Sequence, residues 1–327
     1  MSQLPQNKKT VLRDYEFQQV PEDEVDYEFP SQSRLSGTHV NTIPLQSTVA
    51  APRIFYGAKF VTQAAPLVSR EQALVQNLDV EDGEKSFDEE YGEKYAGAIK
   101  ADADAEITNV TSDAIDYTDL ATGEQKQKQL HNNMPFNRFT WLHQTPKVAS
   151  GDRVKKGQLM ATSNYTDDNG VLSLGANAKI GVVPYKGFSY EDATVVSDKF
   201  ANRMTSEHLS KYKADTEDVK TDKNHFKTFF PSAFNNEQLN KVDDEGVVQK
   251  NTILKQGDPV ILGSKPVQIT KEDRATGDIS KLLKKSRTNA AQIWDHEEDG
   301  EVVDVAKTKN GYKVNVKYRT PLKNGDK

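Results

Sequence analysis

Two adjacent carboxylates, Glu191 and Asp192, close the aromatic glycine turn Tyr185-Lys186-Gly187-Phe188-Ser189-Tyr190-Glu191-Asp192-Ala193. Carboxylate oxygens are the ligands of hard cations, so such a pair at a strand end suits a metal or a metal–phosphate complex. On a regular strand neighbouring side chains point to opposite faces, and only one of the two would then reach a shared site. Residue type alone leaves the plainer reading, a solvated Glu-Asp pair, open. A second group is Arg53, Gly57, Lys59 and Gln63 in one short stretch. Arg53 and Gly57 stand at the i, i+4 spacing of one helical face, and the planar guanidinium fork matches phosphate oxygens. A lone arginine is also an ordinary surface residue. The third group is Gly151-Asp152 followed by Val154-Lys155-Lys156-Gly157-Gln158, echoed by Leu254-Lys255-Gln256-Gly257-Asp258-Pro259-Val260. These are tight turns between short strands of a small barrel. They also occur in lipoyl- and biotinyl-type carrier modules, so they speak to fold more than to reaction.

Composition removes several other chemistries. The chain has no cysteine, which excludes disulfides, thiolate zinc sites and cysteine nucleophiles. Its six histidines are scattered, with no close pair at metal-ligand spacing. No Walker loop, Rossmann glycine run or nucleophile elbow occurs. The formal charge of −6, from 43 Lys+Arg against 49 Asp+Glu, argues against a uniformly basic DNA-binding protein but allows a local basic face. No apolar run approaches the ~20 residues that span a bilayer, and the N-terminus lacks a signal-peptide core. These features predict a soluble, cytoplasmic protein with no membrane partner.

Hydrophobic residues make up 35% of 327, low for a wholly packed chain, so part of the surface is expected to depend on loops or partners. Residues 1–24 read as a polar tail. Residues 25–135 hold the Arg53 helix, with Pro66 limiting it to the upstream side, and an acidic stretch over 79–124. That stretch reads as a solvated insertion, although Ile107-Thr108-Asn109-Val110 and Ile115-Asp116-Tyr117 have strand character. Residues 136–200 are the densest β-like block: Phe139-Thr140-Trp141-Leu142, Gln158-Leu159-Met160-Ala161 and a buried strand at Ala178–Val183 are expected, with turns at Gly151-Asp152 and Asn169-Gly170. A helix should start near Ser197-Asp198. Residues 201–250 are charged and mixed, with a short helix over Asn236–Val242 capped by Asn235 or Asn236. Val247-Val248 and Val260-Ile261-Leu262 are strand-like. Residues 265–299 read as a poorly packed excursion with a short helix at Ile279–Leu283. Val302–Val305 and Tyr312–Tyr318 flank Asn310-Gly311, a strong hairpin signal. The fold class is mostly β with short helices (α+β).

Taken in order, these segments resemble the middle of the β subunit of multisubunit, DNA-dependent RNA polymerases. Asn41-Thr42-Ile43-Pro44-Leu45 and Arg53…Gly57-Ala58…Gln63-Ala64-Ala65-Pro66-Leu67 look like the family's helix beside the active site. Asn137-Arg138…His143-Gln144-Thr145-Pro146…Gly151-Asp152 and Asp167-Asp168-Asn169-Gly170…Leu174-Gly175-Ala176-Asn177 are similar to the blocks that follow. Gly187-Phe188-Ser189-Tyr190-Glu191-Asp192-Ala193 comes next. Leu239…Asp243-Asp244-Glu245-Gly246-Val247-Val248 with Lys255-Gln256-Gly257-Asp258 resembles the flap, and Gly325-Asp326-Lys327 resembles the start of the catalytic lysine segment. The resemblance runs over about residues 25–327, with gaps, and rests on many short motifs in one order.

The resemblance implies part of a double-psi β-barrel with hybrid-binding and flap-like elements: barrel strands in 136–200, a flap-like region over 201–300, and strands 301–327 leading to the catalytic lysine. It implies that Arg53 lies near the incoming nucleotide's triphosphate and Gln63 near the RNA 3′ end. Glu191 and Asp192 would lie near a second Mg2+, through water, and Lys327 would touch RNA or nucleotide phosphates. Lys59, another nucleotide- or RNA-binding candidate, stands where the family usually has Asn. The region Ile279–Arg287 is short and basic where the family has an apolar flap tip, which bears on the docking of an initiation factor. The implied partners are other β fragments, a β′-type subunit that holds most of the Mg2+ site, DNA template, nascent RNA and nucleoside triphosphates. The expected source is a split bacteriophage β subunit, cut at the catalytic lysine and inactive alone. A barrel-derived protein without catalysis is the alternative.

Overall fold

The computed structural model describes residues 8–27, 36–79, 85–136, 140–215, 219–267 and 286–326. The expected strand residue Phe139, the motif residues Asn137 and Arg138, the helix at Ile279–Leu283 and the terminal Lys327 lie outside the described residues. The chain divides into two compact units, Met1–Thr62 with Val75–Tyr91, and Gln63–Leu74 with Gly92–Lys327.

The first unit holds strands β1 (Lys8–Arg13) and β2 (Glu16–Pro21), and helices α1 (Thr38–Asn41), α2 (Ala51–Gln63, whose last residue opens the second unit) and α3, which starts within this unit (Phe87–Lys94). Within the stretch read as a tail, β1 and β2 pair antiparallel from Lys8↔Pro21 to Arg13↔Glu16. Their two-residue turn puts Asp14 at φ 53° and Tyr15 at φ 64°, the left-handed conformation that two-residue hairpins require. Asn77 ties this unit together: its Nδ2 donates to the carbonyls of Asn41 and Ile43, both at 2.7 Å.

The second unit is β-rich. Its strands are β3 (Ile99–Lys100), β4 (Ala105–Val110), β5 (Ala114–Asp119), β6 (Gln125–Gln129), β7 (Met134–Pro135), β8 (Trp141–Leu142), β9 (Gln144–Pro146), β10 (Arg153–Val154) and β11 (Leu159–Ser163). Helix α4 (Asp198–Arg203) precedes β12 (Ser206–Asp215), and α5 (Lys223–Phe229) and α6 (Asn236–Asn240) follow it. Then come β13 (Ile253–Leu254), β14 (Pro259–Ile261), β15 (Ser264–Pro266), β16 (Arg287–Asn289), β17 (Gln292–Ile293), β18 (Gly300–Thr308) and β19 (Gly311–Thr320). Mostly β with a few short helices is therefore the observed class.

Two larger cores and a smaller cluster of Trp141, Leu209 and Val303 are seen among the described residues of this unit. The first joins the sheet β10-β4-β5-β6 to β11: Ile107, Ile115 and Tyr117 pack with Val154, Met160 and Ala161. The acidic stretch is thus not a solvated insertion. On β4 and β5 the half-buried Glu106 and Asp116 alternate with buried Ile107, Ile115 and Tyr117, and Asp119 is itself buried with the Lys126 ammonium on its carboxylate. The second core lies on the sheet β12-β19-β18-β13, where Leu254, Val302, Val314 and Val316 pack around Trp294 with Phe226 and Leu239 from α5 and α6.

Trp294 is fully buried, so the segment 265–299 is not all a poorly packed excursion. A single large aromatic inserted among Val and Leu side chains pins its C-terminal part to the sheet. The buried strand expected at Ala178–Val183 does not form: Ile180 is 85% exposed and Val182 95% exposed. An apolar run becomes a strand only where a neighbouring strand completes its ladder, and none among the described residues pairs with it. The helix capped by Asn235 forms with a full capping box, Gln238 returning the bond to the Asn235 N–H. It ends at Asn240, short of the expected Val242.

Candidate functional site

Helix α4 starts where Ser197 caps it: the side-chain oxygen accepts the backbone N–H of Phe200. Ahead of it the chain runs through consecutive turns. The N–H of Phe188 bonds the carbonyl of Tyr185 at 2.9 Å, and that of Ala193 bonds the carbonyl of Tyr190 at 3.0 Å. Glu191 takes φ 54°, an uncommon conformation for a residue with a Cβ. The carboxylate pair is therefore on a turn, where the opposite-face rule of a strand does not apply. Both residues are exposed.

The far end of β19 leads into a second turn, Leu322–Asp326. Gly325 adopts φ 90°, which suits glycine. The Asp326 carboxylate accepts the backbone N–H of Lys323 at 2.7 Å, and the Asp326 N–H returns to the Lys323 carbonyl at 3.2 Å. The N–H of Leu322 reaches the carbonyl of Ala201 at 3.3 Å, which ties the second turn to α4. Between them lies an open basin of about 1200 Å³, lined by Asp192 and Asp198 on one side and Lys323, Gly325 and Asp326 on the other, with Tyr185 and Phe188 at its wall. The structure thus brings Asp192 to the turn that immediately precedes Lys327 in sequence. Glu191 is adjacent in the chain but does not line the basin.

Sequence reasoning missed the anchor of this second turn. The Lys323 ammonium pairs with the Glu298 carboxylate at 2.5 Å and with Glu297 at 2.9 Å. Thr320 donates its hydroxyl to Glu298 at 3.1 Å. Burial works to raise the Glu298 carboxyl, and the hydrogen bonds from Lys323 and Thr320 outweigh it, holding it below the usual carboxylate range. The Glu298 and Glu297 carboxylates in turn raise the Lys323 ammonium.

Arg53, Tyr56, Lys59 and Phe60 fall on one side of α2 and are all exposed. The Arg53 guanidinium lies 6.0 Å from the centre of the Tyr56 ring, a cation–π distance. Ala58, on another side of the helix, is buried, and Gly57 approaches Ile43 so closely that a Cβ would meet its Cδ1 at 3.2 Å. The helix is therefore seated by small residues and presents a basic, aromatic side. Gln63 is its last residue and is exposed.

The family profile of RNA polymerase Rpb2, domain 6, matches residues 101–327. The DNA-directed RNA polymerase subunit beta of two Thermus thermophilus strains is 28% identical over 246 residues, covering 74% of this chain and 21% of the relative. The Thermus aquaticus subunit matches with the same identity and coverage. The chain spans about a fifth of the length of these curated relatives. The matched span takes in the carboxylate turn, the whole β12-β19-β18-β13 sheet and the Gly325-Asp326 turn, and by it this chain belongs to the RNA polymerase Rpb2 domain 6 family, as a middle portion of a β-type subunit.

Proposed function

We propose that this chain supplies β-type active-site residues to template-directed RNA synthesis by a multisubunit DNA-dependent RNA polymerase. The observation that carries the proposal is the convergence of Asp192 and the Leu322–Asp326 turn on one basin, in a chain of this family. In this reading the sheet β12-β19-β18-β13 is part of a double-psi β-barrel, and residues 201–300 contribute a flap-like region.

Nucleotidyl transfer needs little covalent help. The transition state spreads negative charge over the oxygens of the transferred phosphoryl group, and catalysis is mainly positioning and electrostatic stabilisation. Lys327 supplies a cation to RNA or nucleotide phosphates. Arg53 offers a bidentate fork to the incoming triphosphate. Lys59 adds a second cation on the same helix, and Gln63 an amide for the RNA 3′ end. Mg2+ uses one or two carboxylates, keeps several waters and takes substrate phosphates as ligands. The exposed Glu191 and Asp192 fit the outer, water-mediated part of such a site. Among the described residues no group of three His, Asp or Glu would hold a cation, so its inner ligands are assigned to a β′-type partner. When bound, Mg2+ neutralises charge on the reacting phosphate oxygens. The partners are then the remaining β portions, a β′-type subunit, an initiation factor, DNA, RNA and nucleoside triphosphates. In this reading the chain works within the assembled polymerase, in the cytoplasm.

The test is RNA extension by the assembled complex carrying Glu191→Ala/Asp192→Ala or Arg53→Ala. Loss of a charge that acts on the transition state lowers kcat by about 100-fold or more. Unchanged extension by both variants in an intact complex would overturn the site, and would favour a barrel that binds without catalysing.

A further inference from the structure

We infer that Glu298 and Lys323 are positioning residues that clamp the Leu322–Asp326 turn to the sheet and so set the place of the segment entering the active site. The inference rests on the proposed polymerase reading and goes beyond it, because it concerns two residues to which that reading gives no role.

The clamp can be followed from the core outward. Trp294 is fully buried in one cluster with Val302, Val314 and Val316, so its indole is closely packed. Its Nε1–H donates to the Glu298 carbonyl at 2.7 Å, which fixes the Glu298 backbone relative to the core. The Glu298 carboxylate then accepts from Thr320, the last residue of β19, and from Lys323 three residues on. Lys323 in turn donates its backbone N–H to Asp326. An unbroken series of contacts runs from a buried tryptophan to the residue directly before Lys327.

A surface ion pair would carry no such weight, since exposed pairs contribute little and hold no fixed geometry. The two carboxylates at Lys323 differ in this respect. The Glu297 side chain is 77% exposed and fits that description. The Glu298 side chain is 19% exposed, has a second donor in Thr320 and has its backbone tied to the core. Removing either member of the Glu298–Lys323 pair takes away the turn's hold on the sheet, while the Leu322–Ala201 bond to α4 and the hydrophobic core stay in place. The turn lines the basin opposite Asp192, so its displacement changes the distance between the two sides of the site. A misplacement of about 1 Å is enough to cost up to about 100-fold in rate.

The experiment uses the assembled polymerase with Glu298→Gln, Lys323→Met, the pair together, and Lys323→Arg, with Lys327→Ala in parallel. Glu298→Gln and Lys323→Met are each expected to lower kcat for RNA extension about 10-fold, with KM for nucleotides within about 2-fold. The double variant should be no slower than either single one, as expected for two residues acting through one contact. Lys323→Arg should restore most of the rate. Hydrogen exchange in the same complexes reads the contact without catalysis: amide protection at Lys323 and Asp326 should fall in Glu298→Gln. Wild-type kcat in both single variants, unchanged amide protection, or losses that add in the double variant would each overturn the clamp. If Lys327→Ala slows extension and Glu298→Gln does not, the clamp alone fails. If Lys327→Ala has no effect, the catalytic reading of this segment fails, and the clamp's proposed role with it.

Discussion

Asp88, on the first turn of α3, is buried, and its Oδ2 has no hydrogen-bond partner. Burial pushes its carboxyl up to about 6. The folded state therefore holds this proton more tightly than the unfolded chain, and the contribution of Asp88 to stability rises as pH falls from about 6 toward the ordinary carboxylate range. Asp88→Asn should stabilise the protein at pH 7 by about 2 kcal/mol, and this advantage should shrink as the pH is lowered to about 4. Melting curves of wild type and variant across that range check both statements. Glu298 behaves in the opposite sense. Its carboxyl is held below the usual range, so what it contributes is present at neutral pH and is lost only as pH falls through its lowered value. At this scale the candidate residues Arg53, Glu191 and Asp192 were legible as types able to meet phosphate or metal. The Glu298–Lys323 pair was not, because a glutamate and a lysine 25 positions apart carry no local signal. Only the hairpin register, with Gly300 opposite Tyr318, brings Glu298 level with Thr320 and within reach of Lys323.

The hairpin of β18 and β19 is the element that sequence reading identifies most directly, yet the glycine in it serves another purpose. Thr308 pairs with Gly311, so the two turn residues are Lys309 and Asn310, and Gly311 is the first residue of β19. It is glycine because β12 passes too close for a side chain: a Cβ there would stand 1.8 Å from the Ala214 carbonyl oxygen. Its φ of 144° is also uncommon for residues with a Cβ. Gly311→Ala should therefore cost about 3 kcal/mol or more, measured as a lowered denaturation midpoint, because the clash is with backbone that cannot rotate away. Strand β12 itself was hidden in a stretch read as charged and mixed. Its buried positions fall on both faces and include Glu207 and Ser210, so apolar alternation is absent. Glu207 is accommodated there because Arg319 on the paired strand reaches it at 2.8 Å. The opposite error occurred at Ala178–Val183, where the apolar run was legible and its lack of a neighbouring strand was not.

At the scale of the whole molecule, the same segment leaves large apolar side chains facing outward. Ile180, Val182, Phe188 and Tyr190 are 85%, 95%, 68% and 74% exposed. Exposed apolar side chains of this size are what a chain buried in an assembly would present to its neighbours. The isolated chain should bind a hydrophobic dye and aggregate on heating, and both should diminish when it is co-expressed with the other polymerase subunits. A sharp, cooperative melt of the isolated chain with no dye binding would count against that. The family was legible in the sequence because it rests on many short motifs in one order, and the family match covers residues 101–327. The assembled site was not, since Asp192 and the Leu322–Asp326 turn, which line one basin, lie about 130 positions apart with no local signal joining them. The most direct test of the account is template-dependent RNA extension by the complex isolated through a tag on this chain, comparing wild type with Lys327→Ala. The account predicts that both forms retain the same subunits and that the variant extends RNA about 100-fold more slowly. Equal extension rates in complexes of identical composition would contradict it.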